Sequence, residues 1–452
     1  MARGSGTEGQ QIAQLFDRGL ESVDRMDIES GTGESIIIER VSGAAAETWT
    51  IRRGSAAPWP VESGRARAFL RVLSEVSGPE IPDQSGSQTD SEIRLTLRDA
   101  TGDTIGAARF GANRIAGLGD AWVDGPDGVR GLRVPDVVNR ALAGDAPMAW
   151  RDRRTFPGLA SDLSRLTIRT PDGEIELARV EGRWGMRSPV VGRADAGVIE
   201  GVIRTLQTME CDRFVGGDAS AFPDSPRIAL TADTDRRGPD GRTRVVESRT
   251  LELGGVAPGG GVYLARLGGT RAASGSQGAD PLYGPQIVEL RADRLSGVPG
   301  TVDAYLSRTV VAEPASDIGQ LSMSSLADTA DTGKPTTGAI TTYRRTASGS
   351  GWGVLGKDGE LTPVTVEDQA RLDELAATLA GTRAERVAVL PSEDALPGGI
   401  AVTLGAISGA ELERCSLFVD TKEGRSTLVA RTGHVTRAWT IRPELAAWLA
   451  SR

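Results

Sequence analysis

The sequence predicts an α+β protein of three tandem, diverged units, each with antiparallel β-meanders packed against amphipathic helices, and three observations predict it. The chain has 452 residues, which at about 150 residues per domain suits three cores better than one. Its apolar residues change period along the chain, from two to about 3.6 and back. A tryptophan also recurs in the third extended segment of each unit, at Trp49, Trp184 and Trp352.

The middle unit is the clearest. Leu166 and Ile168 alternate with Arg165, Thr167 and Arg169, the period-two mark of a strand with one buried face. The turn Pro171-Asp172-Gly173 leads into a second strand carrying Ile175 and Leu177, and Glu181-Gly182 turns the chain into a third with Trp184. After Pro189 the period becomes helical, with Val198, Ile199, Val202, Ile203 and Leu206 on one stripe.

The same order occurs twice more. Near the N-terminus it runs through Met26 and Ile28, Ile36 to Ile38, then Trp49 and Ile51, with a helix carrying Phe69, Val72, Leu73 and Val76 and Ser63 as its N-cap. In the last third it runs through Leu321 and Met323, a polar insertion from Asp328 to Gly338, Tyr343 and Trp352; Thr365 and Asp368 then have capping-box spacing before Leu372, Leu375 and Leu379. Each unit closes with further short strands and a terminal helix, carrying Val137 and Val138 in the first, Val302 and Tyr305 in the second, and Leu445 and Trp448 in the third.

Residues 1–19 read as a spacer or juxtamembrane-like tail, 20–155 as repeat unit 1, 156–312 as unit 2 and 313–452 as unit 3. The joints Trp150-Arg151-Asp152-Arg153 and Tyr305-Leu306-Ser307-Arg308 are short and contain no Gly/Ser linker, so neighbouring units are expected to pack in a semi-rigid row. The Gly-rich stretches Gly254–Gly261 and Ala273–Asp280 read as long hairpin loops.

Composition excludes several function classes. A formal charge of −9 argues against nucleic acid as a partner, because phosphate affinity rests on Lys/Arg neutralisation. Aromatic residues are only 4%, so Val, Leu, Ile and Ala must fill the cores, with tryptophans as large anchors. No stretch reaches the ~20 apolar residues of a spanning helix, so the chain reads as soluble with no direct membrane span. Cys211 and Cys415 lie far apart and match no zinc spacing, and read as small buried apolar side chains.

The stretch SDLSRLTIRTPDGEIELARVEGRWGMRSP (Ser161 to Pro189), the helix after it, and the strands RTLELGG and GVYLARLGG together resemble a bacterial family known as domain of unknown function 4340. The resemblance covers nearly the whole chain from about Leu20 and is strongest from Ser161 to Leu290. It implies an extracytoplasmic repeat protein, associated in some members with gliding-type or other ABC transport systems, and thus membrane-protein partners such as ABC transporter subunits. Members usually begin with a membrane anchor. This chain begins instead with Met1 to Gln11, which reads as a juxtamembrane spacer, so an extracytoplasmic location is expected if an anchor has been lost. The family has no established functional residues to carry over.

Motifs for chemistry are sparse. His434, the only histidine, follows Gly433 at an expected turn, and no multi-histidine metal site can form. Gly351 to Lys357 has phosphate-loop spacing, but Asp358 stands where a Ser/Thr should hold magnesium. Asp233-Thr234-Asp235 with Gly238 is similar to the start of a calcium loop, but Arg244 occupies the twelfth position, and a polar hairpin loop is expected. Asp120, Asp124 and Asp127 form an acidic turn with no shaped cleft to separate their pKa values. No catalytic, cofactor-binding or metal residue is therefore expected. The reading that results is a non-catalytic accessory or scaffold protein. The alternative is a ligand-binding module for cell-envelope polysaccharide or another small ligand, with Trp59 and Trp122 as exposed stacking platforms.

Overall fold

The computed structural model describes residues 12–16, 19–41, 48–81, 93–115, 117–125, 128–215, 222, 226–237, 243–256, 261–272, 279–326, 339–346, 351–390, 399–422 and 424–452. The spacer Met1 to Gln11, the insertion Asp328 to Gly338, Asp127, Gly238 and most of Ala273–Asp280 lie outside them. The chain divides into two compact units. One comprises residues 1–160, 206–226 and 236–294; the other comprises 161–205, 227–235 and 295–452.

Strands dominate, which corrects the α+β expectation. The described residues form 28 strands in three large antiparallel sheets of ten, nine and nine, against six α-helices of four to 15 residues. The first sheet contains Ile12–Gln14 (β1), Arg25–Glu29 (β2), Ser35–Arg40 (β3), Trp49–Arg53 (β4), Trp59–Pro60 (β5), Ser77–Ile81 (β6), Ile93–Arg98 (β7), Thr104–Ile115 (β8), Leu118–Gly125 (β9) and Gly128–Pro135 (β10). The second contains Arg165–Thr170 (β11), Gly173–Val180 (β12), Arg183–Ser188 (β13), Gly192–Arg193 (β14), Arg213–Phe214 (β15), Ile228–Arg237 (β16), Thr243–Val256 (β17), Val262–Ala272 (β18) and Ala279–Arg291 (β19). The third contains Ile318–Ser325 (β20), Thr341–Arg345 (β21), Trp352–Leu355 (β22), Leu361–Pro363 (β23), Arg386–Val389 (β24), Ile400–Ala406 (β25), Glu411–Lys422 (β26), Arg425–Thr432 (β27) and Val435–Ile441 (β28).

The three sheets repeat one topology. Their orders are β1-β6-β10-β9-β8-β7-β2-β3-β4-β5, β14-β13-β12-β11-β16-β17-β18-β19-β15 and β23-β22-β21-β20-β25-β26-β27-β28-β24. In each, the first long strand (β2, β11, β20) is central, with its own meander on one side. The strand after the helix (β6, β15, β24) skips the centre and pairs with the last strand of the sheet (β10, β19, β28). The first sheet adds β1 beyond β6.

The helices do not form the packed amphipathic layer that their stripes suggest. Val72 in Arg65–Glu75 (α1) and Val137 in Asp136–Leu142 (α2) were placed on inward stripes, yet are 43% and 55% exposed. The terminal helix of the middle repeat is the single turn Val302–Tyr305. Backbone hydrogen bonding gives the reason: segments to which the sequence pattern assigns no element, such as β6, β10, β15 and β24, are extended and widen the sheets. At the helix starts, Thr365 Oγ1 accepts from the Asp368 N–H at 3.1 Å. Gly64, not Ser63, occupies the N-cap of α1, with no side-chain capping bond.

The cores lie on one face of each sheet. In β2 and β11 alternate residues are buried, as a half-buried strand requires. Met26, Ile38, Trp49, Leu95 and Phe110 share one cluster; Leu321, Tyr343, Trp352, Leu417 and Trp439 share another. Trp49, Trp184 and Trp352 stand in the third strand of their meanders and are all buried. Each also accepts a backbone hydrogen bond from the residue just beyond the fourth strand: Val61, Ala194 and Val364 respectively.

Candidate functional site

The joints carry the most unusual chemistry. In the first unit, the linker after the first sheet runs as an extended segment between two neighbours. On one side Glu62 N–H donates to Trp150 O and Asp152 N–H to Pro60 O; on the other, Cys211 N–H donates to Arg153 O and Thr155 N–H to Met209 O. In the second unit the same splice recurs 155 residues further along the chain, at Ser307 where the first has Asp152. Asp195 N–H donates to Tyr305 O, Ser307 N–H to Arg193 O, Ala384 N–H to Arg308 O and Val310 N–H to Leu379 O. Corresponding arginines clasp the splice: Arg153 donates to the Cys211 and Asp212 carbonyls at 2.7–3.1 Å, and Arg308 to the Ala384 carbonyl at 3.3 Å.

Each joint is sealed by a further guanidinium buried from the next sheet. Arg249 on β17 is 4% exposed and donates from Nε to Pro157 O at 3.1 Å and from Nη2 to Gly158 O at 3.0 Å. Arg437 on β28 is 2% exposed and donates from Nε to Ser307 O at 2.7 Å. Burial pushes Arg437 down to about 10, which still leaves it charged at neutral pH. Charged donors on buried carbonyls are strong hydrogen bonds, because the alternative is an undischarged desolvation cost.

The first joint also closes through aromatic rings. Trp59 meets Phe214 edge-on at 5.6 Å and Tyr283 at 4.8 Å, and its Nε1–H donates to Asp152 O at 2.8 Å. The backbones approach closely here, with Gly284 N–H donating to Pro58 O at 3.1 Å. A Cβ built on Gly284 would stand 1.8 Å from the Ala57 Cβ. Gly284→Ala is therefore expected to lower stability by about 1–3 kcal/mol through overpacking, read as a fall in the thermal midpoint followed by far-UV circular dichroism; an unchanged midpoint would show that this approach is not tight.

Two of the cavities at the joints hold a buried arginine. The first, of about 490 Å³, lies between β4 and the linker on one side and β17 to β19 on the other. Here Glu247 bridges two guanidiniums: Arg249 Nη2 at 2.9 Å, and Arg271 Nε and Nη2 at 3.0 and 2.7 Å. Asp152, itself buried, is held by Arg154 through bonds of 2.5–3.0 Å. Two donors are left over: Arg249 Nη1 and the Tyr283 hydroxyl are buried and have no hydrogen-bond partner among the described residues. Tyr283 is 1% exposed, and burial raises its phenol above the ordinary range, so it keeps its proton to donate. The second cavity, about 380 Å³, is bounded by β13, β14 and β26 to β28 and likewise contains Arg437 Nη1 without a partner. The arrangement can bind.

Arg437 belongs to no motif singled out in the sequence, and Arg249 opens the stretch RTLELGG without being given a role there, yet a signal for both exists. Arg249, Leu251 and Leu253 share one buried face of β17, and Val435, Arg437, Trp439 and Ile441 share one buried face of β28. An arginine at the inward phase of a period-two run has to find buried acceptors.

The residues weighed from sequence are scattered. His434 occupies the turn between β27 and β28, and Gly433 there has φ +56°. Trp352 to Leu355, inside the phosphate-loop spacing, is strand β22, hydrogen-bonded on both sides. Asp233 to Asp235 lie within β16 rather than in a hairpin loop. Asp120 and Asp124 lie within β9, opposite Arg133 at 3.4 Å and Arg109 at 3.9 Å. Cys211 and Cys415 are buried free thiols that burial pushes up to about 11 and about 12. Trp59 is 1% exposed and cannot serve as an open stacking platform.

No family model matches this chain, and no curated protein matches it.

Proposed function

We propose that the chain is a non-catalytic extracytoplasmic repeat protein, an accessory or scaffold subunit of a membrane transport system of the ABC type, the role implied by its resemblance to domain of unknown function 4340. The observation that carries this reading is the duplicated splice. A linker hydrogen-bonded on both sides and sealed by a buried arginine leaves few backbone torsions free, so each joint fixes the sheet edges it unites. Fixed spacing between edges is what a scaffold offers its partners, and sheet edges with hairpin ends are surfaces on which a protein can dock. No helix among the described residues is long and apolar enough to cross a membrane; membrane-protein partners are part of the same proposal.

Crosslinking in native membranes, followed by capture of the full chain, is expected to recover integral subunits of one transport system. Turnover of glycans, esters or peptides by the purified chain, or crosslinks confined to soluble proteins, would overturn the reading. A second reading, a ligand-binding module for cell-envelope polysaccharide or another small ligand, is favoured by the first-joint cavity, whose size falls in the range of about 300–1,000 Å³ usual for small-molecule sites.

A further inference from the structure

We propose that the first-joint cavity binds a small molecule through a carboxylate, taken up by Arg249 Nη1 and the Tyr283 hydroxyl; this rests on the ligand-binding reading and names its ligand class. Three features converge on that chemistry.

The first is the pair of unused donors. A buried polar group without a partner costs about 1–3 kcal/mol, and here two of them, on β17 and β19 to either side of β18, line one cavity. Both are donors, so their complement presents acceptor oxygens.

The second is charge. Arg249 and Arg271 share the single carboxylate of Glu247, which leaves that trio with one positive charge in excess. Asp152 and Arg154 neutralise each other, and Glu62 is paired with Arg65 at 2.9 Å. The missing element is one negative charge carrying two acceptor oxygens, which is what a carboxylate brings; a neutral hydroxyl or carbonyl would supply an acceptor but leave the excess charge of the trio unmatched.

The third is the remainder of the wall. Trp49, Val61, Pro157 and Leu282 face the same space, an apolar lining for the body of the ligand beyond its carboxylate.

A carboxylate can come from a free organic acid or from a uronic acid residue of a polysaccharide, and calorimetric titration of the full chain separates these. The probes are benzoate, glucuronate, a polyglucuronate oligomer, methyl benzoate and a neutral glucose oligomer. The acids are expected to bind and the methyl ester not to. Binding of the monomeric acids points to a free acid, and binding of the oligomer alone points to a polysaccharide.

Arg249 also secures the linker, so its loss could unfold the joint; Tyr283→Phe is the decisive variant. It deletes only an unpaired hydroxyl, so the ligand-free protein is expected to keep or raise its melting temperature, while affinity for the acid falls about tenfold. Equal affinity in Y283F, or a lower melting temperature without ligand, overturns the assignment. Binding of the neutral oligomer alone overturns the carboxylate but spares the ligand-binding reading. If none of the probes binds, both fall.

Discussion

Trp59→Ala is expected to lower the free energy of unfolding by about 3–5 kcal/mol, the range for deleting a fully buried large aromatic side chain. Three losses combine. The cavity left by the indole is bounded by Phe214 and Tyr283 across the joint, and its edge-to-face contacts at 5.6 and 4.8 Å disappear with it. The Asp152 carbonyl loses its donor. The linker that hangs on Asp152 then loses part of its anchorage on the side of the first sheet. Trp59→Phe separates these effects in part, because it keeps a ring in the gap while removing the Nε1–H donor and some of the indole's bulk, with an expected cost of about 1–2 kcal/mol. Urea unfolding followed by far-UV circular dichroism measures both variants, and hydrogen exchange locates the damage. Protection should fall first at residues 59–62, 150–155 and 281–288, while β2 and β3, whose burial does not depend on this ring, stay protected. If Trp59→Ala lies within about 1 kcal/mol of the parent, the joint is held by its backbone splice and not by the aromatic contact.

How much of this was legible in the sequence depends on which physical signal each element leaves. Strands with one buried face, such as β2, β11 and β12, write their alternation directly into the residues and were readable. So was the recurrent tryptophan, because a large anchor in a core poor in aromatics stands out. β6 left no such mark. It contains Gly78 and Pro79, residues that ordinarily end strands, and Gly78 is needed because a Cβ there would lie 2.0 Å from the Arg133 carbonyl oxygen. β15 has two residues, too few for any period. With these returning strands unseen, the apolar stripes of the helices were given a weight they do not have, and a predominantly β protein read as α+β. The cavity was hidden for a different reason: it is assembled from β4, a linker, and strands more than 180 residues later, and the proximity of Glu62 to Arg249 follows from the topology, not from spacing along the chain.

Arg249→Ala is expected to cost about as much as the tryptophan substitution, about 3–5 kcal/mol, the range for removing one partner of a buried ion pair. The Pro157 and Gly158 carbonyls lose their donors, and Glu247 keeps only Arg271. The pH dependence identifies the cause. Burial, the largest single influence on the Glu247 carboxyl, pushes it up, but Arg249 and Arg271 together outweigh burial and hold it below its ordinary 4.5. A carboxyl whose folded pKa lies below its unfolded one binds fewer protons in the folded state, so its stabilising contribution is present above pH 4.5 and is lost as pH falls through the folded value. Without Arg249 the burial remains and the largest opposing influence, the Arg249 charge, is gone. The folded pKa then rises towards or past the unfolded value, and the fall in stability on acidification below pH 4.5 becomes shallower than in the parent. Arg249→Lys separates charge from geometry. An ammonium still opposes protonation of Glu247, so the steep acid limb should return, but a single point donor cannot span both linker carbonyls as the planar guanidinium does, so most of the stability should not. Recovery of both by lysine would mean that Arg249 acts through its charge alone and that the linker carbonyls contribute little to holding the joint.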